Sequence, residues 1–174
     1  THAATQSARF LGYEIYSQHC DTKFNRNNAR SINGVLALRA PRDVIQQACA
    51  RYMKRGKPTH RPEIAADSDY DIVQQYQWHY AGLVNYYLLA HNVGSLSKLR
   101  WIMESSLLRT LANKHNTSVG KLWKKHKSKV QTPYGPRRCV TATYPRPDQE
   151  PLVARFGGIP LRRQKDAILK DQVP

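Results

Sequence analysis

Acidic residues are scarce in this chain of 174 residues, which has 12 aspartates and glutamates against 28 lysines and arginines. The formal net charge is therefore +16, and between residues 72 and 147 the only acid is Glu104. Such an imbalance costs folding energy by self-repulsion, which points to a polyanionic partner. We expect that partner to be nucleic acid. The alternative is a structural or protein-interaction module whose basic surface serves solubility or binds an acidic protein.

The chain also lacks a long apolar run and a secretion signal. No segment approaches 18 consecutive apolar residues, so we expect no membrane partner. The three cysteines, Cys20, Cys49 and Cys139, are widely spaced and form no CxxC pair. This pattern argues against a disulfide framework and a zinc knuckle, and it indicates a reducing, cytoplasmic location. We expect no metal ion and no other cofactor.

Catalytic motifs are missing as well: there is no GxxxxGK[ST] loop, no GxSxG elbow and no HExxH pair. The one carboxylate cluster, Asp67, Asp69 and Asp71, lies at the start of a predicted helix, where acids complement the helix dipole. A magnesium-dependent enzyme built on these acids would need further oxygen ligands, which so basic a chain has few acids to supply. We therefore expect no catalytic residue.

The hydrophobic pattern predicts a mainly α fold, in which a helical bundle carries an N-terminal β-hairpin and a short β-containing C-terminal extension. Alternating residues predict strands, and apolar stripes at helical spacing predict helices. The strands are expected at 9–17, 32–41, 139–145 and 151–156, and the helices at 41–56, 67–92, 95–116 and 117–129. The breaks between these patterns divide the chain into segments 1–40, 41–130 and 131–174.

The predicted helix 117–129 contains the most basic stretch, KLWKKHKSK. Lys121, Lys124, Lys125 and Lys129 follow a spacing that places them on one broad helical face. Helices that carry lysines only for solubility usually interleave glutamates, and no glutamate occurs between residues 105 and 149. We therefore predict phosphate contacts here, with Lys127 outside the cluster. A merely solvated face is the alternative.

Further basic residues extend this candidate surface along the predicted bundle and its connectors. The connector after the first helix is a loop, and loops often carry binding residues, although a solvated turn is an equal alternative there. The predicted nucleic-acid-binding residues are Arg30, Lys54, Lys57, Arg61, Lys98, Arg100, Arg109, Lys114, His115, Lys121, Lys124, Lys125 and Lys129.

The order of several segments resembles the C-terminal part of group II intron maturases, which join a reverse transcriptase to a splicing domain. The resemblance covers residues 8–167 and rests on order and spacing. The segments are ARFLGYEI, RSINGVLALRAP, GKPTHRPEI, YAGLVNYYLLAHNVGSLSKLRWIMESSLLRTLANKHNTSV and LVARFGGIPLRRQKDA.

The resemblance implies roles for the three segments: 1–40 as the end of the palm with a primer-grip-like hairpin, 41–130 as the thumb or domain X, and 131–174 as the start of a DNA-binding-type segment. It implies binding to group II intron RNA for splicing and to an RNA–DNA template–primer duplex, with target DNA and the rest of the reverse transcriptase chain as further partners. The family's Tyr-Ala-Asp-Asp turn is not in these residues. The chain is therefore expected to be a non-catalytic fragment of an RNA-directed DNA polymerase.

Overall fold

The computed structural model describes residues 6–20, 22–30 and 34–165. Its helices and strands, labelled in chain order, are β1 (Ala8–Phe10), β2 (Tyr13–Gln18), β3 (Val35–Arg39), α1 (Arg42–Ala50), β4 (Met53–Lys54), β5 (Lys57–Pro58), α2 (Asp69–Tyr86), α3 (Leu96–Lys114), α4 (Val119–His126), β6 (Lys127–Val130), β7 (Arg137–Arg146) and β8 (Gln149–Gly157). Short 3-10 turns occupy Pro62–Ile64 and Val93–Ser95.

The first sheet contains β1, β2 and β3 in antiparallel order. The expected hairpin is present, but residues 9–17 are two strands joined by a tight turn. Leu11 and Gly12 form this turn with φ angles of 46° and 72°, a left-handed pair typical of a type I′ hairpin. The hydroxyl groups of Tyr86 and Tyr87 donate hydrogen bonds to the carbonyl oxygens of Leu11 and Gly12. These bonds hold the turn against the end of α2.

The main core lies between α2, α3 and the β7–β8 hairpin. The Phe156 ring of β8 lies 6.2 Å from the Tyr76 ring and 5.5 Å from the Tyr80 ring, measured between centroids. Ala142 and Ala154, which pair across the hairpin, are buried in the same cluster. The inner face of the hairpin therefore covers an aromatic face of α2 that would otherwise meet water.

The predicted mainly α class is wrong, because the described residues are 38% helical and 28% in strands, with three antiparallel sheets. The difference lies largely in β7 and β8, which have 10 and 9 residues and are longer than the expected extension strands. Their period-2 alternation buries one face against α2 and exposes the other, as a half-buried sheet requires.

The acidic cluster at residues 67–71 forms the start of α2, as predicted. Ser68 is the N-cap, and its side chain accepts a hydrogen bond from the Asp71 backbone N–H. Asp69 lies in the first turn and accepts hydrogen bonds from Lys114 and His115 at the end of α3. These carboxylates therefore stabilise helix ends and the α2–α3 contact.

A buried polar network joins α2, α3 and the connector after β5. The Tyr76 hydroxyl lies 2.8 Å from the Ser106 hydroxyl, which in turn lies 2.5 Å from the Thr59 carbonyl oxygen. Thr110 accepts a hydrogen bond of 3.0 Å from the Arg61 backbone N–H. Because buried polar groups are costly when unpaired, this network fixes the connector on α3.

The predicted helix 117–129 ends at His126, so the prediction is wrong for its last three residues. Ser118 caps α4, and Leu122 and His126 are its buried residues. The His126 ring nitrogen Nδ1 donates to the Thr141 carbonyl oxygen at 2.9 Å, and the chain then turns into β6. Antiparallel pairing of β6 with β7 supplies the backbone hydrogen bonds that another helical turn would have supplied.

No helix in the described ranges combines the length and the apolarity that crossing a bilayer requires. In the same ranges, the His, Cys, Asp and Glu side chains nowhere gather in a group of three that could hold a metal ion.

Candidate nucleic-acid interface

The outer face of α4 is a row of exposed lysines. Lys121, Lys124 and Lys125 are exposed, whereas Leu122 is buried and Trp123 is half-buried against the core. In the part of the chain that the structure describes, none of these three lysines forms an ion pair. The row is therefore free to meet external anions.

Lys129 lies next to this row on a strand, and not on the helical face where its spacing placed it. It pairs across β6 and β7 with Arg138, and both side chains are exposed. Lys127, which helical spacing placed outside the cluster, lies on the same strand face as Lys129. We call these six cations, Lys121, Lys124, Lys125, Lys127, Lys129 and Arg138, the α4–β6 surface.

Lys127 and Arg138 are not among the binding residues predicted from the sequence. The signal that could have found Lys127 is the alternation of Lys127, Ser128 and Lys129, which fits a strand as well as a helix end. No local signal pairs Arg138 with Lys129, because the register depends on the turn at residues 131–136 and on the contact with α2.

An open concavity of about 550 Å³ lies where α3 meets α4. Arg109 of α3 and Lys121 of α4 line it together with His60 of the connector, and Asn113 and Asn116 add amide groups. The concavity brings two predicted residues from different helices into one basic depression. It thereby extends the α4–β6 surface across the start of α4.

Lys114 and His115 are held by an acid of the protein itself. The Lys114 ammonium lies 3.0 Å from one Asp69 carboxylate oxygen, and His115 Nε2 lies 2.8 Å from the other. Burial opposes ionisation of Asp69, but the hydrogen bonds from Lys114 and His115 outweigh it and hold the pKa of this carboxyl below its ordinary value. The charge of Lys114 is therefore largely balanced within the fold.

Arg61 and Arg100 are likewise engaged. The Arg61 guanidinium lies 2.6 Å from Glu63 and 5.8 Å from the centroid of the Tyr52 ring. Arg100 pairs with Glu104 at 3.8 Å, one helical turn along α3. Both side chains are partly buried, so they contribute to packing as well as to surface charge.

A second basic region lies near the β4–β5 turn. Lys54 and Lys57 pair across this two-stranded hairpin and are exposed. Lys98 of α3 is exposed too and lines a depression with Gly56 of the same turn. Arg30, in the loop between β2 and β3, is exposed and lines neither this region nor the α3–α4 concavity. Apart from Arg61, Arg100, Lys114 and His115, which contact acids of the fold, the predicted residues therefore form two clusters, and Arg30 lies in neither.

The family model described as "Type II intron maturase" matches residues 38–135 of the chain. The curated proteins that resemble the chain include the group II intron-encoded protein LtrA of Lactococcus lactis subsp. cremoris and of its strain MG1363. Each is 33% identical over 131 residues, which cover 70% of this chain and 22% of the relative. The chain thus spans about a fifth of the length of these relatives. The region that the family model matches contains α1 to α4.

Proposed function

Because the chain belongs to the type II intron maturase family, we propose that it binds group II intron RNA and thereby promotes splicing. The observation that supports this proposal best is the α4–β6 surface, whose six exposed cations lie on adjoining elements and form no ion pair in the described residues. Asp69 lines a depression with Lys125 and Lys127, but its carboxylate is engaged by Lys114 and His115. A surface of like charges is unfavourable until polyanions approach it. A role on intron RNA also places the chain inside the cell, where such RNA is transcribed.

Such a surface suits recognition of folded RNA by its backbone. Double-stranded RNA is recognised mostly through phosphates and 2′-hydroxyl groups, since its major groove is too narrow for side chains to read. The lysines of α4 are held by a capped helix whose Leu122 is buried, and those of β6 by a paired strand. Rigid elements therefore set the spacing of the positive charges.

Other roles follow from the family resemblance and form the finer part of the proposal. They are clamping of an RNA–DNA template–primer duplex, contact with target DNA and packing against the rest of a reverse transcriptase chain. We assign no catalytic step to this region and propose that the parent protein is an RNA-directed DNA polymerase. Among these roles, binding of intron RNA is the primary proposal because the matching family model is described as a type II intron maturase.

The test is the salt dependence of binding to a group II intron RNA. Each phosphate contact that is lost flattens the slope of log K against log salt by about 0.7–0.9. Simultaneous Lys121→Ala, Lys124→Ala and Lys125→Ala should therefore flatten the slope by about 2–3 and weaken binding. Filter binding between about 50 and 200 mM salt measures both quantities.

A matched control removes three exposed arginines from other elements, through Arg26→Ala, Arg42→Ala and Arg155→Ala. It changes the net charge equally, so it should leave the slope close to that of the unmodified chain. Equal slopes for both triple variants would contradict the proposal and favour the alternative of a basic module without a direct nucleic-acid role. Charge reversal at Arg109 is a cleaner second probe than reversal at Lys114, which would also break the contact with Asp69.

A further inference from the structure

A groove of about 330 Å³ runs beside the indole of Trp123, between the end of α4 and the β6–β7 pair. Its lining consists of Trp123, Lys127, Ser128, Lys129 and Arg138. We call this feature the Trp123 groove. Its volume falls at the lower end of the range of roughly 300–1,000 Å³ that small-ligand sites occupy.

The groove exists because α4 stops at His126. The chain continues as β6, where Lys129 lies opposite Arg138 and Lys127 lies opposite the buried Val140. Side chains that face each other across a strand pair share one side of the sheet, so all three cations lie on the same side. Trp123, one helical turn before the end of α4, forms the wall beside them.

Like charges placed directly opposite each other destabilise a strand pair. Lys129 and Arg138 are such a pair, and no acid lines the groove. Within the described residues, none of the three cations has an ion-pair partner. The Ser128 hydroxyl is occupied by Cys139 and Thr141 at 3.0 and 2.5 Å. The groups in the groove that remain available to a ligand are therefore the three cations and the indole ring.

Trp123 differs from the two other tryptophans of the chain. Trp78 and Trp101 are 65% and 62% exposed. Trp123 is half-buried and packs against the core, so its indole is held in place at the groove wall. A ring that is already fixed loses little conformational entropy when a planar group stacks on it.

We propose that the Trp123 groove binds a single unpaired nucleotide of an RNA strand. The base stacks on the indole of Trp123, and the adjoining phosphate lies between Lys129 and Arg138. Single-stranded nucleic acids are bound in this way, by aromatic platforms beside positively charged grooves. The inference rests on the proposed RNA-binding function and adds that part of the recognised RNA is an extruded base beside a duplex.

Trp123 fluorescence tests the proposal in the complete 174-residue chain. Trp78→Phe and Trp101→Phe leave Trp123 as the only indole, since the chain has three tryptophans. Titration with single-stranded oligoadenylate should quench this fluorescence through stacking. Duplex RNA, inorganic polyphosphate and polyglutamate at matched charge should cause little quenching. Equal quenching by any of these three would overturn the proposal.

Two groove variants separate stacking from charge. Combined Lys129→Ala and Arg138→Ala should weaken oligoadenylate binding at least about tenfold, because charged hydrogen bonds to a phosphate are lost. Trp123→Leu keeps an apolar side chain at the core edge but removes the ring, and should weaken binding about five- to hundredfold. Lys124→Ala with Lys125→Ala removes the same charge outside the groove, and should have a smaller effect.

The Lys129 and Arg138 side chains are exposed, so their double variant keeps the test decisive even if Trp123→Leu fails to fold. Binding to group II intron RNA is measured in parallel. Unquenched Trp123 fluorescence together with normal intron RNA binding would overturn nucleotide binding in the Trp123 groove and would leave the proposed function standing. Quenching by oligoadenylate without intron RNA binding would support the groove and contradict the proposed function.

Discussion

Lys114 at the end of α3 and Lys121 in the first turn of α4 carry the same charge, but their surroundings differ. The Lys114 ammonium lies 3.0 Å from Asp69 and also donates to the Asp67 carbonyl oxygen. Lys121 is exposed and has no acidic partner in the described ranges. A cation that is already neutralised releases fewer counterions when it meets a phosphate. We therefore infer that Lys114 contributes mainly to stability and Lys121 to RNA affinity.

The Asp69→Asn variant tests the stabilising role of Lys114 through the pH dependence of stability. The pKa of Asp69 is held below its ordinary value of 3.8, so its contribution is present above that pH and is lost as the pH falls through the folded value. The variant should unfold more easily near neutral pH by about 1–3 kcal/mol, because two charged hydrogen bonds are lost. It should also lose less stability than the unmodified chain on acidification below about pH 4.

Urea unfolding at several pH values, followed by circular dichroism, measures this difference. The affinity of the same variant for intron RNA is the second measurement. Because Asp69→Asn leaves the charge of Lys114 unbalanced, affinity for intron RNA should rise or stay unchanged. Parallel acid profiles for both proteins would contradict the role given to Asp69.

At the scale of elements, the positions of α4 and β6 determine where the lysines of the α4–β6 surface lie. The two parts are joined at His126, whose ring donates to the Thr141 carbonyl oxygen. The far end of β6 is held by the chain after β8. A Cβ on Gly158 would lie 2.5 Å from the Val130 Cγ1 atom, and Gly158 has a φ of 78°. Packing and backbone conformation both require glycine there.

Gly158→Ala should therefore destabilise the chain by about 2–5 kcal/mol, since a left-handed conformation and a steric overlap add. Gly120→Ala is the matched control, because its Cβ would meet nothing within 4 Å and its residue lies within α4. That change should be neutral or stabilising by up to about 1 kcal/mol. Thermal unfolding of both variants measures the difference. Equal midpoints would show that β6 is not held in this way.

At the scale of the whole molecule, internal partners divide the basic residues into two groups. Arg9, Arg39, Arg61, Arg100 and Lys114 lie beside acids of the fold. The cations of α4, β6 and β7, and those around the β4–β5 turn, have no such partner in the described ranges. The cations of these two surfaces therefore lack the internal counter-charge that the first group has.

The sequence predicted the elements whose signals are local. The helix expected at 95–116 is observed as Leu96–Lys114, because its apolar stripe and ends are encoded within its own residues. Asn92 was expected to end the preceding helix, but its side chain instead bonds the Ala40 backbone at 2.7 and 2.9 Å. That role depends on a contact across 52 residues, which no local pattern reveals.

The candidate site shows the same limit. The lysine row of α4 followed from spacing, but the position of Lys129 depended on strand pairing with Arg138. Likewise, the sequence identified Lys114 as basic but not as the partner of Asp69, 45 positions earlier. Charge composition predicts that a basic surface exists, whereas tertiary contacts decide which cations form it.

The most direct test of the central claim is ultraviolet crosslinking of the complete chain to a group II intron RNA, with mass spectrometry of the crosslinked peptides. We predict that crosslinks concentrate in residues 119–138, which contain the α4–β6 surface and the Trp123 groove. An intron RNA that binds and crosslinks only outside these residues would contradict the claim.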